Sequence, residues 1–154
     1  MSELMQKITQ IGIVTKDLQA MVRRYEDVYG VGPWVIADGE GGLDPKYQAV
    51  DLTVNGERKD FGVSLAWAKV GDIEIELIQP LDDLSDYARF LKEHGEGVHH
   101  LSLVTDVNKF KETMIQRNIP QLMTGRVPGV ETWMYYKTEP ELGMTLEIHD
   151  TENS

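Results

Sequence analysis

The chain has 154 residues, 41% of them hydrophobic and 27% charged, enough for one domain or for two small halves sharing a core, because a chain of this length buries roughly 70% of its extended surface. Its 15 Lys and Arg against 26 Asp and Glu leave a formal charge of −11, which repels nucleic acid and anionic membrane surfaces. With no Cys, disulfides, thiolate ligands and a Cys nucleophile are excluded. No apolar run approaches the ~20 residues that cross a bilayer. The first residues do not read as a signal peptide, and a cytoplasmic protein is expected.

In chain order, residues 8–15 alternate as a strand. Asp17 then caps a helix over 18–29 whose stripe is Leu18, Met21, Val22, Tyr25, Val28 and Tyr29. Gly30 and Pro33 end it. Strands are predicted at 34–37, 47–54, 63–70 and 73–78, with Asn55-Gly56 and Gly71-Asp72 as turns and Pro80 as a stop. The Gly-rich stretch 37–42 lacks a phosphate-loop ending and is expected to be a mobile flap. A helix over 85–94 connects to a second series: a strand at 98–105, a helix at 107–117 with Val107, Phe110, Met114 and Ile115 inward, and strands at 120–124, 132–137 and 144–149.

The two series repeat one another. Gln10-Ile11-Gly12-Ile13-Val14-Thr15 matches His100-Leu101-Ser102-Leu103-Val104-Thr105, and Ile75-Glu76-Leu77-Ile78 matches Leu146-Glu147-Ile148-His149. In each copy the residue with ligand chemistry stands on the face opposite the aliphatic row. Gln10, Glu76, His100 and Glu147 thus supply one imidazole and three oxygens at matched places, a donor set suited to divalent Zn, Co, Ni or Mn. Of the adjacent His99 and His100, one is expected to point to each face.

These segments, with the stretch 90–101 reading FLKEHGEGVHHL, resemble the vicinal oxygen chelate superfamily (glyoxalase, bleomycin resistance and dioxygenase proteins), above all its methylmalonyl-CoA epimerase-like and glyoxalase I branches. The resemblance implies an α+β fold: two βαβββ modules, 6–80 and 97–150, joined by the 85–94 helix into an incomplete eight-stranded mixed barrel within a single domain. It places a divalent metal on Gln10, Glu76, His100 and Glu147. Epimerases carry His where Gln10 stands, whereas the Gln, Glu, His, Glu set is similar to zinc-type glyoxalase I.

The chemistry implied is removal of a proton α to a carbonyl or thioester, with Glu147 as base and Glu76 as alternate. Ring-opening dioxygenases fit less well, because Gln10 takes the place of one of their two His. The implied partners are an acyl-CoA or a glutathione thioester or hemithioacetal, and a second copy of the chain covering exposed strand edges. A coenzyme A ester would depend on cations such as Arg58, Lys59, Arg126 or Lys137. His149 is a candidate neighbour of the ligand set, His94 a helix-end residue, and Trp34, Trp67, Trp133, Met123, Met134 and Met144 are candidate cavity walls. A non-catalytic, small-molecule-sequestering protein of the same fold is the alternative.

Overall fold

The structure, a computed structural model, describes residues 3–37 and 48–151. Strict alternation in the two most similar segments produces the central strands, β1 (Lys7–Val14) and β7 (Gly97–Val104), which pair antiparallel. On its outer side each takes the last strand of its own repeat in parallel: β6 (Ile73–Pro80) beside β1, and β10 (Thr145–Thr151) beside β7. Next come β5 (Val63–Val70) and β9 (Glu131–Tyr136), both antiparallel, then β2 (Val35–Ala37) and β8 (Gln121–Val127). The order β2-β5-β6-β1-β7-β10-β9-β8 reads the same from either end, so the duplication in sequence is a duplication in space. The fold is α+β, a mixed sheet curled into a half-barrel.

β6 runs two residues past the expected 78 and Pro80 closes it as its last residue, opposite Val63 at the start of β5. The strand expected at 47–54 is shorter, β3 (Val50–Val54), and turns through Asn55 and Gly56, both at positive φ, into β4 (Glu57–Arg58). This hairpin does not stay with its own repeat. Instead β3 pairs with β8 of the other one, giving the sheet ten strands in all among the described residues. The expected flap at 37–42 falls, beyond Ala37, outside the described residues.

Helix α1 (Leu18–Tyr29) starts where the Asp17 side chain accepts from the Ala20 N–H and ends at Gly30, whose φ of 65° is the left-handed conformation that glycine adopts cheaply. Leu18 and Val22 pack on Ala66 and Leu77, with Ile13 and Ile75 alongside. The buried stripe stops at Tyr25; Val28 and Tyr29, counted inward from their spacing, are 68% and 73% exposed. Helix α3 (Val107–Gln116) covers the same face of the second repeat, Phe110 and Met114 lying against Leu103, Leu146 and Ile148. Fully burying a side chain such as Phe110 stabilises the fold by about 1.5–3 kcal/mol. Ile115 is 75% exposed rather than inward, since the residue after Met114 lies more than a quarter-turn round the helix.

The opposite, concave face carries the residues with ligand chemistry. One end of it is apolar, because the connecting helix α2 (Asp86–His94), capped by Ser85, lays Tyr87 and Phe90 over Val14, Ile78, Met123 and Tyr135. His94 stacks on Phe90 and lies 3.3 Å from Glu139 in the short α4 (Glu139–Leu142). What remains open on the concave face is a cavity of about 920 Å³.

Candidate active site

Strand register gathers the polar residues of the concave face. Gly12 stands between His100 on β7 and Glu76 on β6, while Ser102 stands between Gln10 on β1 and Glu147 on β10. The two small residues occupy equivalent places of the repeat and leave room for the larger side chains beside them. At Gly12 the room is fully used: a Cβ there would lie 1.9 Å from Cε1 of His100.

The pair His99 and His100 departs from simple alternation. Gly12 pairs with His100 but Ile13 pairs with Val98, so His99 is an extra residue in β7, a β-bulge. The bulge turns both rings to one side, with His99 Nδ1 and His100 Nδ1 only 3.0 Å apart, which corrects the expectation that they point to opposite faces. Both are buried. Beyond them His99 Nε2 meets Asp86 of α2 at 2.7 Å.

His100 Nε2 lies 3.4 Å from Glu76 Oε1, 3.6 Å from Glu147 Oε1 and 3.4 Å from the Tyr135 hydroxyl. Trp67 Nε1–H donates to the other Glu76 oxygen at 2.6 Å. Gln10 donates its amide to Glu74 at 2.7 Å, which turns its oxygen inward to within 3.0 Å of Ser102 Oγ. Ser102 also donates to Glu147, so one hydroxyl proton faces two acceptors. The structure therefore brings Glu76, His100 and Glu147 into direct contact, and Gln10 reaches Glu147 through Ser102.

Among the described residues no three His, Cys, Asp or Glu side chains surround one point as a ready-made metal cluster. The donor chemistry nevertheless suits a divalent ion: Glu76, Glu147 and the Gln10 oxygen are acceptors with few protons to share. Ligand bonds of roughly 2.1 Å at tetrahedral angles put donor atoms about 3.4 Å apart, close to the separations at His100 Nε2.

His149 Nε2 lies 3.2 Å from Glu147 and its Nδ1 3.0 Å from Glu131. Burial would lower its pKa, but the Glu147 charge and the Glu131 hydrogen bond outweigh that and lift it to about 11. Burial would likewise raise Glu147; His149, His100 and Ser102 outweigh it and hold the carboxyl at about 2. A raised folded-state pKa stabilises fully below the ordinary His value of 6.5 and ceases to do so as pH climbs towards 11. The depressed Glu147 contributes fully above its ordinary 4.5 and loses its contribution as pH falls towards 2. In metal-free protein, the stability lost in His149→Gln, read by denaturant titration, should therefore be largest between the ordinary values 4.5 and 6.5 and shrink steadily as the medium becomes alkaline. A loss independent of pH up to strongly alkaline conditions would show that the ion pair is not what His149 contributes.

Apolar walls complete the cavity, with Leu52, Phe61, Leu65, Trp67 and Trp133 around the polar cluster. Of the other expected wall residues, Trp34 packs instead on Tyr25 of α1, 5.4 Å between rings, and Met123 and Met134 are core. The cations suggested for coenzyme A are engaged elsewhere or lie off the cavity: Arg58 and Arg126 both bond Asp51, Lys59 is 3.8 Å from Glu57, and Lys137 borders a separate cleft with Arg89. Lys69 does line the main cavity. Sequence reasoning missed Asp86, Tyr87 and Tyr135, whose proximity depends on how α2 folds over the sheet.

The profile of the Glyoxalase/Bleomycin resistance protein/Dioxygenase superfamily matches residues 9–136. The chain belongs to this superfamily. A curated relative, the mitochondrial methylmalonyl-CoA epimerase of Dictyostelium discoideum, is 24% identical over 115 residues, covering 73% of this chain and 58% of that protein's length. Among solved structures, Mycobacterium tuberculosis methylmalonyl-CoA epimerase superposes with a TM-score of 0.65 at 20% identity over 97% of this chain and 90% of that one. A Streptomyces coelicolor methylmalonyl-CoA epimerase variant in complex with 2-nitronate-propionyl-CoA gives 0.65 at 22% identity over 97% and 99%. These likenesses establish the fold.

Proposed function

We propose that the chain is a divalent-metal-dependent isomerase or lyase that removes a proton α to a carbonyl or thioester, of the epimerase or glyoxalase I type. The observation that carries this reading is the meeting of Glu76 and Glu147 at His100 Nε2, at 3.4 and 3.6 Å, beneath an open, apolar-walled cavity. The epimerases among its relatives support an acyl-CoA substrate, and the Gln, Glu, His, Glu donor set supports a glutathione thioester or hemithioacetal.

Gln10, Glu76, His100 and Glu147 would hold the ion, which supplies Lewis acidity at the substrate carbonyl worth roughly several kcal/mol. Glu147 takes the proton: its neighbours keep it ionised. The same neighbours weaken it as a base, so proton capture requires the His149 contact to loosen. Glu76, fixed by Trp67, is the alternate base. Trp67 and Trp133 shape the space in which the acyl group is held.

The competing reading, a sequestering protein of the same fold, draws on Gln10, whose amide oxygen is a weak ligand that already accepts from Ser102. A homodimer covering the terminal strands β2 and β4, and a cytoplasmic location consistent with a chain free of Cys, complete the proposal. The test is a screen for α-proton exchange into deuterated water with methylmalonyl-CoA, unbranched acyl-CoA esters and the glutathione hemithioacetal, in the presence of divalent ions. Exchange with one class names the substrate. No exchange together with no uptake of any divalent ion would leave the sequestering reading in its place.

A further inference from the structure

We propose that Asp86, at the first turn of α2, is a positioning residue that sets the tautomer of His100 through His99, holding a proton on His100 Nδ1 and turning Nε2 to Glu76 and Glu147. The inference rests on the reading of His100 as a metal ligand for its purpose, but not for its geometry.

Three side chains, each at most 3% exposed, form a buried chain: Asp86, His99 and His100. Arg89 donates Nε–H to Asp86 Oδ1 and Nη2–H to Oδ2, so Asp86 is an ion-paired carboxylate that can only accept. His99 Nε2, 2.7 Å from Asp86, must therefore carry a proton. Arg89 already balances the Asp86 charge, and nothing at this end retains a second proton on His99. Its Nδ1 is then an acceptor. Because that Nδ1 lies 3.0 Å from His100 Nδ1, two lone pairs would repel there, and the His100 proton is drawn onto Nδ1. Nε2 of His100 is thereby turned to Glu76 and Glu147.

A second chain reaches the same ring from the other side. The Tyr87 hydroxyl donates to the Tyr135 hydroxyl at 2.7 Å, and the Tyr135 hydroxyl lies 3.4 Å from His100 Nε2. Burial, helped by the charges of Glu76 and Glu147, keeps both phenols protonated. The β-bulge at His99 supplies the geometry, since in a regular strand the two rings would stand on opposite faces. A ligating His whose other nitrogen is anchored is the arrangement that orients a metal ligand.

Asp86 could also act only as an acidic residue at a helix start, and the experiment separates the two roles. Metal-free protein labelled with ¹⁵N-histidine is examined by long-range proton–nitrogen correlation, which distinguishes protonated from bare ring nitrogens. The wild type should show His100 protonated at Nδ1. In Asp86→Asn, Arg89 retains the side-chain oxygen and the amide NH₂ turns to His99, so both tautomers invert and His100 carries its proton on Nε2. Zinc affinity, measured by competition with a chromophoric chelator, should fall about 10–100-fold with the circular dichroism spectrum unchanged. His99→Phe, which removes the relay while retaining bulk, should abolish the fixed tautomer.

Wild-type His100 bare at Nδ1 overturns the proposal whatever the variants do, as does an Asp86→Asn protein with lower stability but an unchanged tautomer. If the wild-type tautomer is as expected, inverts in Asp86→Asn, and no divalent ion binds, the relay stands while the metal-dependent reading fails.

Discussion

Replacing Glu147 by Gln is expected to lower α-proton exchange by about 10²–10⁴-fold, the usual contribution of a positioned general base, while part of the metal affinity survives. An amide oxygen can coordinate but cannot take a proton. The substitution is nearly isosteric at a buried position, so loss of activity through collapse of the fold is not expected; Ser102 can still donate to the amide oxygen. Its cost is the ion pair with His149 at 3.2 Å, which will show as reduced stability in the metal-free protein. The companion Glu76→Gln keeps the Trp67 N–H partnered through its own oxygen. If Glu147→Gln exchanges at near wild-type rate and Glu76→Gln does not, the base is Glu76. Normal exchange by both variants would refute carboxylate catalysis at this site.

His100→Ala should lose metal and exchange together, because it removes the site's imidazole and with it the atom that both carboxylates approach. The stability effect is also large. The ring is fully buried and stacks directly on Gly12, which has no side chain to fill the space, so the vacated volume persists. By comparison with other large-to-Ala core truncations, the loss is on the order of 2–5 kcal/mol, partly offset where water enters the new polar cavity. Thermal unfolding and zinc titration on the same sample measure both effects. A His100→Ala protein that binds zinc as tightly as the wild type would remove His100 from the ligand set.

Much of this was legible in the chain because period-two alternation survives folding. Once Gln10 and His100, or Glu76 and Glu147, hold equivalent places in repeated strands, a sheet symmetric about β1 and β7 must bring them to one face. The helix start at Asp17 was readable for a similarly local reason, its side chain accepting from a backbone N–H three residues on, and Ser85 and Asp106 cap the other two helices in the same way. What escaped depends on distant partners. The extra residue at His99 is visible only against its neighbour strand, where Ile13 skips to Val98. Asp86 looks like an ordinary first-turn acid until α2 lies over the sheet, and the exchange of β3 to the other repeat's edge leaves no mark in its own sequence. Ile115 and Val28 show the converse error, apolar residues near a buried stripe that face solvent.

Whether an ion at this site drives proton removal is tested most directly by one titration: substrate α-proton exchange followed by NMR in deuterated water while cobalt or zinc is added to chelator-stripped protein, using the substrate class that the screen identifies. Exchange should be near background without metal, rise with each addition and level off at one ion per chain. Full exchange in the stripped protein, unchanged by added ion, would contradict metal-assisted proton abstraction at Glu76, His100 and Glu147.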